Sequence, residues 1–194
     1  LRLDREAIYA AHSWFAPGLK GLARGARSMA NWDEDSVTMA VAASRDCLNG
    51  GATDRLGAVW LASTTLPFAD RDCATLVARA LNLPDTVSTM SISSSRRAGT
   101  ASLASAFAAA RGEPAEILLT ASEHPRARVA GPQEQIIGDG AAAFTIGTGD
   151  VVCEVLGAAH IAEDFIDQYR GEGETADFSY AWEDRWIRDE GYLK

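Results

Sequence analysis

The run "SSSRRAGTAS", Ser93 to Ser102, stands between an apolar strand-like segment and an alanine-rich segment of helical composition. A strand-to-helix turn of this kind aims its side chains along the positive end of the helix dipole, where anionic groups are stabilised. Its hydroxyls and guanidinium groups allow three chemistries. Ser95 can cap a solvated helix start. Arg96 and Arg97 oppose the dipole, and a pair of such residues suits an anionic ligand or a partner's carboxylate. Ser95 as a nucleophile needs a base beside it, and no histidine is close in sequence. The residues alone leave all three open.

The other groups capable of chemistry are scattered. His12, His124 and His160 share no metal-like spacing with one another or with Cys47, Cys73 and Cys153, so no zinc site is expected. His124, in "SEHPRAR", follows a strand and has the best position for a functional histidine, although a surface role competes. His12 reads as a helix-face residue. Cys47 and Cys73 fall on apolar helix faces and Cys153 in a strand, all three as core thiols. Asp139, between two glycines, is expected to serve turn geometry. "GLKGLARGAR" places Lys20, Arg24 and Arg27 together in an otherwise acidic chain, either as a phosphate-gripping loop or as a solvated one.

The elements that must position these groups follow from periodicity. "LDREAIYAAHSWF" reads as a short amphipathic helix and "APGLKGLARGARSMANW" as a loop. "DEDSVTMAVAASRDCLNGG" is a helix with Asp33 as N-cap and Gly50–Gly51 as its stop. "GAVWLAST" and "AEILLTAS" are apolar runs typical of strands covered on both faces. Between them lie a helix with a Cys73, Leu76, Val77, Ala80, Leu81 stripe ended by Pro84, the strand "TVSTMSI", and the helix "GTASLASAFAAARGEP" ended by Gly112 and Pro114. Ala98 and Gly99 are expected to let that helix approach its neighbour closely. "GDGAAAFTIGTGDVVCEVLGAAHI" reads as a hairpin turning at Gly147–Asp150. The tail after Asp164 carries Phe165, Tyr169, Phe178, Tyr180, Trp182, Trp186 and Tyr192 among charges and reads as mostly irregular with one helical turn. Strands separated by helices predict an α/β fold, a mixed sheet with parallel βαβ units and a C-terminal antiparallel hairpin.

The 194 residues carry a formal net charge of −9, which argues against a nucleic-acid partner. No apolar run is long enough to span a bilayer and no signal-peptide pattern opens the chain, so no membrane partner is expected. An odd cysteine count without CxxC predicts reduced thiols and a cytoplasmic location. The start "LRLDREA" and the end "RDEGYLK" do not read as natural termini, so a longer protein is expected.

Four segments, in order, carry a resemblance: "DEDSVTMAVAASRDCL", "ISSSRRAGTASL", "GDGAAAFTIG" and "DFIDQYR". Together they resemble the N-terminal half of thiolase-superfamily condensing enzymes, nearest the hydroxymethylglutaryl-CoA synthase branch and its ketoacyl synthase III cousins. The resemblance runs from about Leu3 to Lys194. It implies a thiolase-like layered fold as one N-terminal half domain over 1–194, with an α/β core at 1–160, an irregular aromatic and acidic tail at 161–194, and a C-terminal half absent from this chain. It implies a coenzyme A thioester as substrate, no tightly bound cofactor, and Lys20, Arg24 and Arg27 as CoA-binding residues. It also implies a dimer or larger complex formed by joining edge strands. In the family, a cysteine at a helix N-terminus takes an acyl group from the thioester, and carbon–carbon bond formation or thiolytic cleavage follows.

This chain departs from that pattern at two positions. Alignment on Ala98-Gly99-Thr100 puts Arg96 where the cysteine belongs, and arginine is no nucleophile; Ser95 is one residue earlier. Thr64, in "LASTT", falls at the place of the family's acid/base glutamate. The expected function is therefore an acyl-CoA condensing or thiolytic protein without the usual cysteine. The alternatives are a non-catalytic thiolase-fold subunit pairing with a cysteine-bearing partner and an acyl-CoA-presenting protein, or a dimerisation scaffold.

Overall fold

The computed structural model describes residues 1–51, 53–93, 95–112, 115–165, 168–175, 177–179 and 184–193. They form two compact units: residues 1–3, 26–124 and 138–158, and residues 4–25, 125–137 and 159–194.

The first unit is built on a four-stranded sheet. Its strands are β3 (Leu56–Ala62), β4 (Ser88–Ile92), β5 (Glu116–Glu123) and β6 (Gly140–Ile146), in the order β4-β3-β5-β6. β3 pairs in parallel with β4 and β5, and β6 runs antiparallel to β5. The apolar runs behave as expected of strands covered on both faces. Along β3 and β5 alternate side chains enter opposite layers. Val59, Leu61 and Leu118 pack with Val37 and Ala40 of α2 (Ser36–Leu48) and with Cys73, Ala74 and Val77 of α3 (Cys73–Ala80). Ile117, Leu119 and Ile146 pack with Ala106 and Ala110 of α4 (Ala98–Ala110) on the other face. The result is a three-layer α/β arrangement with a mixed sheet. Two short strands, β1 (Arg2–Asp4) and β2 (Ala26–Ser28), also pair, and the Leu1 carbonyl accepts the Met29 N–H at 3.0 Å.

Helix starts obey local chemistry more finely than the sequence pattern allowed. α2 begins two residues later than expected. Asp35, not Asp33, is its N-cap, accepting the Val37 and Thr38 N–H groups while the Thr38 hydroxyl takes the Asp35 N–H. Asn49, in the left-handed region at φ 43°, and Gly50 at φ 68° end it. α3 is capped by Asp72 and stops at Ala80, with Leu81 as C-cap and Asn82 left-handed. Pro84 therefore lies beyond the helix end rather than setting it. The expected stop of α4 at Pro114 lies outside the described residues.

The hairpin is present only in part. β6 is the antiparallel strand, but its partner is β5. Residues 151–160 form no strand, and Val151, Val152 and Leu156 are exposed. Cys153 is exposed with them, so it is not a core thiol.

The second unit holds α1 (Arg5–His12), a 3₁₀ turn at Pro17–Leu22 and α5 (Pro132–Ile136). The 3₁₀ turn and β2 replace the single loop expected over 16–32, and α5 has no counterpart in the sequence reading. Gln135 ties α5 to α1. Its amide N donates to the Arg5 carbonyl at 3.2 Å and its O accepts the Tyr9 N–H at 3.3 Å, within an almost fully buried setting. His12 on α1 reaches Glu134 at 3.5 Å. In the tail, Tyr169 and Phe178 on paired two-residue strands stack at 5.3 Å, and Phe165 meets Trp186 at 5.1 Å. A helical stretch runs over Asp184–Trp186 and Ile187–Tyr192, longer than the single helical turn expected in the tail. Tyr180 and Trp182 lie outside the described residues.

Candidate functional site

The parallel strands β3, β4 and β5 all end at one edge of the sheet, the position where α/β folds collect their chemistry. The register dictates which residues meet there. Ala62 pairs with Ala121, an offset of 59, and the same offset continues past the strand ends. Thr64 meets Glu123 and Thr65 meets His124. The Thr64 N–H donates to Glu123 Oε1 at 2.6 Å. The Thr64 and Thr65 hydroxyls donate to Oε2 at 3.0 and 2.9 Å. Thr65 Oγ1 in turn accepts the His124 N–H at 2.8 Å. Ser63, fully buried, anchors this turn by accepting the Thr65 N–H at 3.0 Å, and its own N–H donates to the Ile92 carbonyl. Three donors on one carboxylate offset the cost of half-burying it.

The antiparallel register builds the other half. Glu123 pairs with Gly140, so the next residues out, His124 and Asp139, stand directly opposite. His124 Nδ1 lies 3.3 Å from Asp139 Oδ1. Nδ1 is sealed from solvent, and its angle to the carboxylate falls short of a hydrogen bond, so the contact is an electrostatic one that a small rotation of the ring would close. Asp139 Oδ2 accepts the Ala30 N–H at 2.8 Å. The Asp139 carbonyl accepts the Ser28 hydroxyl at 2.6 Å. The side chain of Asp139 is 6% exposed and that of His124 36%. Asp139 is thus more than a turn residue: it is a buried carboxylate aimed at an imidazole. Gly138 permits the approach, since a Cβ there would collide with the Ser28 hydroxyl.

The turn into α4 departs from expectation in one respect. Ser95 is not the helix N-cap. Its hydroxyl accepts the Arg97 N–H at 3.1 Å and its carbonyl accepts the Ala98 N–H at 2.8 Å, so it shapes a turn before the helix. Arg97 holds the N-cap position without a side-chain capping bond. Ser95, Arg96 and Arg97 are all exposed, and Ser94 lies outside the described residues. Gly99 has room for a methyl group, which would meet Ala121 Cβ at an ordinary 3.9 Å, so close packing does not demand glycine there.

Neither core thiol is near such a turn in chemical character. Cys73 is fully buried among the α2–α3 core residues and Cys47 is half-buried; burial pushes both thiols above the usual range. Of the basic residues, Lys20 and Arg24 are exposed in the second unit. Arg27 belongs to the first, half-buried in β2 with its Nε sealed from solvent. Among the described residues no group of three or more metal-ligating side chains occurs. No helix among them is long and apolar enough to cross a membrane.

The sequence reading missed Glu123 and the contact between His124 and Asp139. Only the two sheet registers reveal that residues 64, 65, 123, 124 and 139 belong together.

No protein-family model matches the chain. The hydroxymethylglutaryl-CoA synthase of Methanocella arvoryzae is 29% identical over 176 residues, which cover 90% of this chain and 50% of that protein. The chain thus spans about half the length of the curated relatives it matches. Among solved structures, PksG, an HMG-CoA synthase from Bacillus subtilis, superposes on 99% of this chain and 47% of its own with a TM-score of 0.81 at 18% identity. An HMG-CoA synthase complexed with CoA gives 0.79 over 92% and 47% at 21% identity. The fold is thiolase-like, and the expected resemblance to thiolase-superfamily condensing enzymes is borne out.

Proposed function

We propose that this chain, thiolase-like in fold and similar in sequence to hydroxymethylglutaryl-CoA synthases, is one half of a protein that makes or breaks carbon–carbon bonds on coenzyme A thioesters, and that it does so without capturing the acyl group itself. One observation carries the second clause. At the N-terminus of α4, where the family's thiolate stands, this chain presents Ser95, Arg96 and Arg97, while its cysteines lie in the core or on the exposed stretch after β6. Arginine cannot attack a thioester at any accessible pH. The Ser95 hydroxyl is occupied as an acceptor from Arg97 N–H, and no hydrogen bond among the described residues joins it to a base.

The two arginines suit a different task, holding an anionic part of the ligand by charge-assisted hydrogen bonds. Lys20, Arg24 and Arg27 are the further candidates for the CoA phosphates. A bound CoA in one of the similar synthases is in keeping with that ligand class. Arg27, being half-buried, is expected to contribute less than Arg24.

The arginine at position 96 also favours a second reading, a non-catalytic subunit working beside a cysteine-bearing thiolase-fold partner. The exposed apolar side chains Val151, Val152 and Leu156 support an interface with such a partner or a second copy.

Calorimetric titration with CoA tests the ligand class. Removing one phosphate contact, in Arg24→Ala or Arg96→Ala, is expected to weaken binding about tenfold. Affinities equal to wild type in Lys20→Ala, Arg24→Ala, Arg27→Ala and Arg96→Ala alike would reject each of these residues as a CoA contact.

A further inference from the structure

We infer that His124, oriented by Asp139, is a proton-transfer group that abstracts a proton from the carbon next to a thioester carbonyl. The inference rests on the reading of the ligand as an acyl thioester and goes beyond it by naming the base.

The dyad is a product of the sheet. The antiparallel register sets residue 124 opposite residue 139, and the parallel register clamps the His124 backbone to Thr65 at 2.8 Å. The His124 backbone is therefore held from one side, and its ring lies against the Asp139 carboxylate from the other. Asp139 is itself fixed, by the Ala30 N–H on one carboxylate oxygen and by Ser28 on its main chain. With Nδ1 turned to a carboxylate 3.3 Å away, the proton of the neutral ring belongs on Nδ1 and the lone pair on Nε2. Nε2 has no protein partner among the described residues, and the ring is 36% exposed, so a ligand can reach it.

The neighbouring carboxylate is the competing base. Glu123 already accepts three hydrogen bonds that hold the end of β3, and both its oxygens are engaged. Its geometry is that of a staple. The face of β5 that carries His124 also carries Ser122, whose buried hydroxyl makes no hydrogen bond among the described residues.

The step balances without a further reactant. The Nε2 lone pair takes the α-proton of the thioester, the C–H electrons form the enolate, and its negative charge rests on the thioester oxygen. The imidazolium so formed is stabilised by Asp139. Return of a solvent-derived proton regenerates the thioester, so in heavy water the α-carbon gains deuterium. The titratable groups around the ring are Asp139 from the start of β6 and Glu123 on its own strand.

The experiment is exchange of the methyl protons of acetyl-CoA in heavy water, followed by NMR, with acetyl-CoA binding measured in parallel. Wild type is expected to catalyse exchange. His124→Gln is expected to slow it about a hundredfold or more, the usual contribution of a general base, at unchanged melting temperature. His124→Gly is expected to recover exchange on adding free imidazole. Asp139→Asn is expected to slow exchange at saturating acetyl-CoA while leaving the affinity for acetyl-CoA unchanged, because the ring loses the carboxylate that orients it. Binding with exchange that is absent, or that is indifferent to residue 124, overturns the role of His124 alone. Absence of acetyl-CoA binding overturns the thioester reading and this proposal with it.

Discussion

Asp72 gathers four donors: the Thr75 hydroxyl at 2.5 Å, the Thr89 hydroxyl at 2.7 Å, the Ser91 hydroxyl, and the Ala74 N–H at 3.3 Å. Partial burial works to raise its pKa, but the hydrogen bonds from Ser91, Thr75, Thr89 and Ala74 outweigh it and bring the carboxyl from 3.8 down to about 2. A group depressed on folding contributes stability that is complete above its unfolded pKa and lost as pH falls through the folded value. Urea midpoints are therefore expected to drop between about pH 4 and pH 2, and Asp72→Asn is expected to flatten that limb. Because Asp72 is exposed, water screens the effect, and the loss is about 1 kcal/mol. An Asp72→Asn protein with an unchanged acid limb would contradict this. Glu123 is stapled differently. Glu123→Ala strands the Thr64 N–H and two hydroxyls, and is expected to cost about 1–3 kcal/mol in chemical denaturation. A cost below half a kcal/mol would show that water replaces the carboxylate. None of this was legible in the sequence. Asp72 and Glu123 look like ordinary surface acids until residues 17 and 59 positions away are brought beside them.

β5 organises the fold and the site together. Its apolar residues fill both layers, its last residue is the Glu123 staple, and the residue just beyond it is His124 of the dyad. Strand and helix identity was readable because the continuous apolar runs are short and bounded by turn residues, as buried strands are, while the i, i+3, i+4, i+7 stripe fits only a helix. Three things were not. Asp33 and Asp35 are equal candidates as N-caps by residue type, and the Thr38 reciprocal bond decides between them. β2 and α5 are too short, at three and five residues, to imprint a period. The second hairpin arm is apolar enough to read as a strand, yet no strand among the described residues pairs with it. Two substitutions test the element scale. Gly138→Ala forces a methyl into the Ser28 hydroxyl, so it is expected to disturb the loop that holds Asp139 and to cost about 1–3 kcal/mol. Thr120→Val removes the hydroxyl that Ser44 meets at 2.9 Å inside the core and is expected to cost about 1–2 kcal/mol, measured by urea unfolding. Equal stability in both variants would mean that the β5 surroundings repack freely.

At the scale of the whole molecule the sequence revealed the class of fold and the kind of ligand to test, since both rest on ordered motifs that survive at low identity. It could not reveal the site, because its residues come from three strands and two sheet registers. The exposed Val152 and Leu156 lie on a stretch that pairs with no strand among the described residues. Sedimentation is expected to show a dimer or larger species, and Val152→Asp with Leu156→Asp to reduce it to monomer; an unchanged assembly would place the interface elsewhere. The most direct measurement is the intact mass of the protein after incubation with acetyl-CoA. Unmodified protein is expected, since the N-terminus of α4 offers a guanidinium where a thiolate would be needed. A stable acetyl adduct, mapped to Ser95 or to any cysteine, would contradict the proposed function at its root.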